Sequence, residues 1–273
     1  MLNEINISDD DIFYFKKNGF FKIKNLIKKE YIENILFEIK NIFNIQFKNK
    51  NIKNNSFEEN LITLFNSDFN TFLNCAKNCQ NLFLIHNLGS SSEIYNLLKK
   101  FEIKKPNICT RPVTFINYEK TSKEKINHTI FEHQDWRSMQ GSINSVILWV
   151  PLVDIDKDLG ALEVSAGSHL MGLISDKIEN NFGRTPDKIS KKLKFESIEV
   201  EAGDCLIFSS FLVHRSGNNI TDNIRFSSHF RYNDMLEDSY IDRGFPTPYK
   251  YGPDDKLLFP NLKTKRLIRN IMK

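Results

Sequence analysis

The 273-residue sequence contains no run of about 18 apolar residues, so no membrane-spanning helix is expected. Its opening, Met1-Leu2-Asn3-Glu4-Ile5-Asn6, has neither a basic start nor an apolar core, so no secretory leader is expected. Cysteine is scarce. Cys75, Cys79, Cys109 and Cys205 are too few for a disulfide framework in a chain this long, and a reducing, cytoplasmic setting fits them. A dominant charge is lacking too: 38 Lys and Arg against 34 Asp and Glu leave +4, too little to argue for a nucleic-acid partner. No glycine-rich loop follows a strand-like run, which removes the Walker and Rossmann nucleotide sites.

What is present is an ordinary folded composition, 40% apolar and 26% charged, in a chain long enough for one large domain. Its pattern changes near residue 105. Before that point apolar residues fall at helical spacing, and Ile32, Ile35, Leu36, Ile39, Ile42 and Phe43 predict one long amphipathic helix. Ser8 ahead of three aspartates reads as a helix start, and further helices are expected over 57–66, 69–80 and 91–101. A short strand is expected at Phe20 to Ile23.

Beyond residue 107 the runs shorten to strand length: 108–118, 144–151, 161–164, 198–200, 205–208 and 224–232, separated by Gly, Pro, Asp and Asn. The expected fold is mainly β with flanking α helices, a double-stranded β-helix or cupin-like jelly roll behind an N-terminal helical region. The expected organisation is a single domain: helical support over 1–105, catalytic core over 106–235, and a C-terminal extension over 236–273. That extension ends in a basic amphipathic helix over 261–273, for which packing on the domain is the plainer role and a membrane or acidic partner the other.

Some attractive patterns fail on chemistry. Asp154-Ile155-Asp156-Lys157-Asp158 starts like a calcium loop, but the glycine position is Leu159 and the twelfth is Ser165, so a turn between strands is expected. Cys75 and Cys79 share a helix face with no second pair to complete a zinc site. Ser165 and Ser168 lack the surroundings of a hydrolase nucleophile.

The informative stretch is Phe131-Glu132-His133-Gln134-Asp135-Trp136. Residues two apart on a strand face the same way, so His133 and Asp135 can present an imidazole and a carboxylate to one point. A second histidine downstream, His214, would complete two nitrogens and one oxygen on one face of a divalent metal, the donor set of non-haem Fe(II) oxygenases. Alone, the His-x-Asp pair is weak. It gains meaning from Ser216 and Arg225 beyond His214, because an arginine can hold a distal carboxylate bidentately and a hydroxyl can complete that contact. A dicarboxylate that chelates metal at one end and meets an arginine at the other is 2-oxoglutarate.

With those pieces in place the sequence resembles the phytanoyl-CoA dioxygenase family of Fe(II)/2-oxoglutarate oxygenases. The similarity runs from about Ile108 to Tyr232. It is carried by His133-Gln134-Asp135, Trp149 with Pro151-Leu152, Leu159 through Val164, Ala166-Gly167-Ser168-His169, and His214 through Arg225. The resemblance implies that His133, Asp135 and His214 ligate iron, and that Arg225 and Ser216 clamp 2-oxoglutarate. It also sets Asn117 as a polar cosubstrate contact and Trp149 as a pocket residue. Gly160 and Gly167-Ser168-His169 are implied to be structural. Ala166 stands where relatives carry proline. Asp135, where related halogenases have a small residue, favours hydroxylation over halogenation.

The implied reaction couples decarboxylation of 2-oxoglutarate, to succinate and CO2, with O2-dependent hydroxylation of a substrate. Gln134, Arg137, Gln140, Arg215 and Arg231 suggest that this substrate is a small polar or anionic metabolite. Two other readings stay open at this level. A jelly-roll metal hydrolase or isomerase would keep the triad without a use for Arg225, and a non-catalytic binding module would need neither.

Overall fold

The computed structural model describes residues 1–121, 131–174, 177–179 and 182–247. The basic helix expected over 261–273 lies outside the described residues. The N-terminal part is α1 (Asp9–Asn18), β1 (Phe20–Ile23), α2 (Lys29–Asn49), α3 (Phe57–Ser67), α4 (Phe69–Cys79), α5 (Phe83–Ser90) and α6 (Ser92–Lys100). Ser8 caps α1 as its sequence predicts. Its hydroxyl accepts from the Asp11 amide while the Asp11 carboxylate accepts from the Ser8 amide, a reciprocal pair that satisfies two otherwise orphaned donors. Helix α2 buries Ile32, Ile35, Ile39, Phe43 and Phe47, the stripe its spacing demands. Cys75 and Cys79 are buried in α4, and burial pushes the Cys79 thiol up to about 12, so it packs as an inert apolar group.

The strand-rich part continues with β2 (Pro106–Ile108), β3 (Val113–Asn117), α7 (Trp136–Met139), β4 (Val146–Pro151) and β5 (Leu162–Val164). It closes with β6 (Lys177–Glu179), β7 (Phe182–Arg184), α8 (Asp187–Ser190), β8 (Glu196–Ile198), β9 (Cys205–Ser209), β10 (His214–Ser216), β11 (Arg225–Asp234) and α9 (Asp238–Asp242). The larger sheet runs β1-β9-β4-β11-β2, with β3 also paired to β11. The smaller runs β10-β5-β8, and all these pairings are antiparallel. Two sheets facing each other with helices on the outside of one is the expected jelly roll.

Alternation along the large sheet divides its side chains into two cores. Val146, Leu148, Val150, Cys205, Ile207, Phe226, Phe230 and Tyr232 point outward and join the buried faces of α2 through α6. Ile147, Trp149, Leu206 and Phe208 point inward and meet Leu162 and Val164 of the small sheet. Each such buried side chain contributes roughly 1.5–3 kcal/mol, so the helical half grips the back of the sheet while the front stays available for a site. Gly89 in α5 brings the two layers close: a Cβ there would lie 2.3 Å from Cδ1 of Phe230, and the Tyr232 hydroxyl donates to the Gly89 carbonyl at 2.7 Å.

Three expectations need revision. Helix α5 replaces an expected connection; its buried Ile85 and Leu88 make too short a stripe to stand out in sequence. The expected strand over 108–118 is broken into β2 and β3, both paired to β11. His133 and Asp135 do not share a strand. His133 makes a single antiparallel bridge to His214, and Asp135 has helical dihedrals as the N-cap of α7. The Trp136 amide donates to the Ser210 carbonyl at 2.9 Å, which turns the chain away from extended geometry there. The Asp154–Asp158 segment is the turn expected: Asp156 accepts from the Leu159 amide at 2.7 Å, and Asp154 from the Ala202 amide at 2.8 Å.

Candidate metal centre

His133, Asp135 and His214 are all buried, and one ligand atom from each lies within 4.8 Å of the others. Nε2 of His133 is 3.7 Å from Oδ1 of Asp135, and Nε2 of His214 is 4.0 Å from Oδ2. The other ring nitrogens face carbonyls. Nδ1 of His133 donates to the Phe131 carbonyl at 2.7 Å, and Nδ1 of His214 donates to the Leu212 carbonyl at 3.0 Å. A carbonyl oxygen can only accept, so each proton sits on Nδ1 and each Nε2 lone pair turns toward the carboxylate. That arrangement is the one by which metal-binding histidines have their tautomer and ring orientation fixed.

Electrostatics prepares the same donors. Burial by itself pushes the Asp135 carboxyl up, but the Arg231 charge outweighs it and holds the carboxyl well below the usual carboxylate range. Arg231 on β11 donates Nη2 to both oxygens of Asp135, at 3.2 and 3.4 Å. Burial, reinforced by His133, depresses His214 to about 4, so its ring is neutral at ordinary pH. A deprotonated carboxylate and a neutral imidazole are the protonation states that a divalent ion needs.

The neighbours of the triad are structural braces. Glu132, just before His133, accepts from Arg184 at 3.3 Å and Ser190 at 2.9 Å. Gln134 commits both amide N–H groups, to the Gly172 carbonyl at 2.9 Å and the Phe211 carbonyl at 2.7 Å, and accepts from the Ile174 amide at 2.9 Å. Gln134, a substrate candidate by its position in the sequence, therefore ties the segment after the Ser168 turn to the stretch that holds His133 and Asp135. Ser168 accepts from the Val213 amide at 2.8 Å, beside His214, and His169 bonds the Lys16 carbonyl at 2.9 Å, in keeping with a brace.

The remaining candidates divide into two groups. Arg225 begins β11 opposite Asn117 of β3, and both are buried. Burial lowers the Arg225 guanidinium to about 10, so it stays charged. Its Nη1 donates to the Gly160 carbonyl, while its Nε is buried without a hydrogen-bond partner. Gly160 has φ +84°, and a Cβ there would meet the Gly217 carbonyl at 2.7 Å, so glycine allows this turn to press against the end of β10. Ser216 is buried two residues after His214, on the same side of β10. Trp149 is paired across the sheet with His229 and packs in the inner core. In the second group, Arg137 is half-buried on α7, and Gln140 is exposed at its left-handed C-cap. Arg215 is engaged elsewhere, against Glu163 at 2.5 Å on the neighbouring strand and over the Phe195 ring.

Sequence reasoning missed Ser227 and His229. Both lie on the inward face of β11, which reads Arg225, Ser227, His229, Arg231, Asn233 at every second position. Ser227 Oγ and His229 Nδ1 are buried without hydrogen-bond partners. The signal was available as a polar residue at every other place in a strand-like run.

The family model for phytanoyl-CoA dioxygenase (PhyH) matches residues 15–227. The chain belongs to the phytanoyl-CoA dioxygenase family. No curated protein matches the sequence. Among solved structures, the α-ketoglutarate-dependent carbocyclase SnoK of nogalamycin biosynthesis superposes with a TM-score of 0.60 at 14% identity, covering 91% of this chain and 95% of its own. The epimerase SnoN, in complex with Fe3+, α-ketoglutarate and nogalamycin RO, gives 0.59 at 16% identity, covering 83% of each chain. The non-haem monooxygenase ThoJ gives 0.56 at 17% identity, covering 82% of this chain and 76% of its own. At these identities the likeness is one of fold. The phytanoyl-CoA dioxygenase family is one of iron and 2-oxoglutarate enzymes, and the residues here fit those groups: two imidazoles and a carboxylate for iron, and a buried, incompletely paired guanidinium for a carboxylate.

Proposed function

We propose that the protein is an Fe(II)- and 2-oxoglutarate-dependent dioxygenase that hydroxylates a small polar or anionic metabolite, with succinate and CO2 as co-products. The observation that carries this reading is the pairing of a preformed His133–Asp135–His214 donor set with buried Arg225 at the far end of β11. Iron, 2-oxoglutarate and O2 together supply the oxidising chemistry.

Each residue has a defined task in this reading. His133, Asp135 and His214 hold the metal by one face and leave its other positions open. Arg225 and Ser216 bind the far carboxylate of 2-oxoglutarate, with Asn117 and Trp149 walling the same pocket. Arg231 keeps Asp135 ionised and, with Arg137 and Gln140, gives the substrate side its polar and cationic character. The inner core of Ile147, Trp149, Leu206 and Phe208 keeps bulk water from the floor of the site.

Hydroxylation is favoured by Asp135, an oxygen ligand that fills the third protein position. The solved neighbours, a carbocyclase, an epimerase and a monooxygenase, mark the other outcomes to be tested against. The test is a panel of phosphorylated, carboxylated and glycosylated metabolites incubated with Fe(II) protein, 2-oxoglutarate and 18O2. Substrate-stimulated succinate with one 18O atom in the product is expected. Stimulated succinate with a product of unchanged mass, or two hydrogens lighter, would replace hydroxylation by epimerisation or ring closure.

A further inference from the structure

Strand β11 turns five polar side chains inward in one row, Arg225, Ser227, His229, Arg231 and Asn233. Nearest the triad and beyond it, the row has side-chain partners. Arg231 donates to Asp135, and Asn233 accepts from the Ser142 amide at 3.3 Å and donates to the Tyr240 hydroxyl at 3.4 Å. The middle differs. His229 is 8% exposed, and its Nδ1 is buried with no hydrogen-bond partner. Native interiors seldom leave such a group unmade, so its partner is expected to come with a ligand.

The ring of His229 is held firmly in place. Phe115 lies 4.9 Å away, centroid to centroid, and Trp149 stands edge-on at 6.4 Å. Its position along the row is also defined. Two residues further along the same face Arg231 meets Asp135, whereas Arg225 lies four residues back, which puts the ring toward the metal end. Burial keeps it neutral, so it has one N–H to give. Arg225 starts the strand four residues earlier, roughly 13 Å away along the backbone, and so belongs to the opposite end of any molecule lying between them.

We propose that His229 holds the metal-binding end of the 2-oxo acid, its ring N–H donating to the carboxylate beside the keto group. This rests on the 2-oxoglutarate reading above and adds a contact to it. Phe115 and Trp149 fix the plane of the ring, and the donor reaches the carboxylate that is later lost as CO2. Arg225 and His229 then grip the two ends of one dicarboxylate.

The test uses the full chain, loaded anaerobically with Fe(II) and titrated with 2-oxoglutarate while the weak visible band of the chelate is followed. Wild type, His229→Phe, His229→Gln and Arg225→Leu are compared. His229→Phe keeps the aromatic packing and removes the donor, and His229→Gln restores an N–H. The expected result is a band displaced in position, with 2-oxoglutarate affinity weakened about tenfold or more, in His229→Phe. Both should recover in His229→Gln, and Arg225→Leu should weaken affinity without moving the band. Should His229→Phe fail to fold, His229→Ala provides the same contrast. A variant with band and affinity unchanged would mean a packing role alone and would overturn the proposal. Weakened affinity with an unmoved band would place His229 at the distal end and would overturn it too. No band in wild type would bring down the 2-oxoglutarate reading itself, and this contact with it.

Discussion

His133 and His214 are hydrogen-bonded to each other twice through their backbones, the His133 amide to the His214 carbonyl at 3.0 Å and the His214 amide to the His133 carbonyl at 3.1 Å. Their rings stand 4.3 Å apart. Two ligands from distant parts of the chain are thus set by one antiparallel bridge, and the metal does not have to gather them. Removing either partner of the metal set should therefore spare the fold and abolish the chemistry. His133→Ala and Asp135→Ala are each expected to lose iron affinity by more than the roughly 10–100-fold that loss of an outer partner costs, and to lose all turnover. Bound iron, melting temperature and succinate release on the same samples check this, and full activity in His133→Ala would remove it from the metal set.

Arg225→Ala should separate cosubstrate from metal. Loss of a hydrogen-bonded charged contact of about 1.5–3 kcal/mol raises the 2-oxoglutarate requirement about 10- to 100-fold, with iron affinity near that of wild type. Dependence of initial rate on 2-oxoglutarate measures it. An unchanged requirement would take the clamp away from Arg225.

Acid should weaken the metal-free protein through its buried histidines. His214 is depressed to about 4, and His229 lies well below its ordinary 6.5, both first because of burial. Between those values the unfolded chain binds protons that the folded chain refuses. Stability is therefore complete above about pH 6.5 and falls as pH drops toward 4, by about 3 kcal/mol for His214 alone. Denaturant midpoints of metal-free protein from pH 7.5 to 4.5 read this out, and a flat profile across that range would contradict it.

Gly89→Ala tests the join between helices and sheet. The added methyl would strike Phe230, which is buried, so a loss of about 1–3 kcal/mol is expected from forced repacking. Chemical denaturation measures it. A variant as stable as wild type would show that Phe230 moves aside freely.

Much of this was legible in the sequence because the decisive residues come in short, ordered pieces. His133-x-Asp135 is nearly contiguous, and His214, Ser216 and Arg225 follow within one strand and the start of the next. The jelly roll could be read from the change of period near residue 105. The path of the chain through the metal stretch could not. Sequence alternation suggests a strand from Phe131 to Trp136, and only the Trp136–Ser210 hydrogen bond shows why Asp135 opens a helical turn. Gln134 and Arg215 look like site residues because they adjoin ligands, yet their side chains are committed to the Gly172 and Phe211 carbonyls and to Glu163. His229 was passed over because no motif contains it, and its importance depends on which face of β11 is inward.

Strand β11 is bound along both edges, to β4 on one side and to β3 and β2 on the other. A strand stitched on both sides cannot slide in register, because a slip of one residue would turn Arg225 and Arg231 to the helices and Phe226 and Phe230 to the inner face. Its first residue, Arg225, and the residue that meets Asp135, Arg231, therefore bracket a fixed span. If Arg225 clamps the far carboxylate as proposed, the strand acts as a gauge: a dicarboxylate one methylene longer or shorter has no way to reset it.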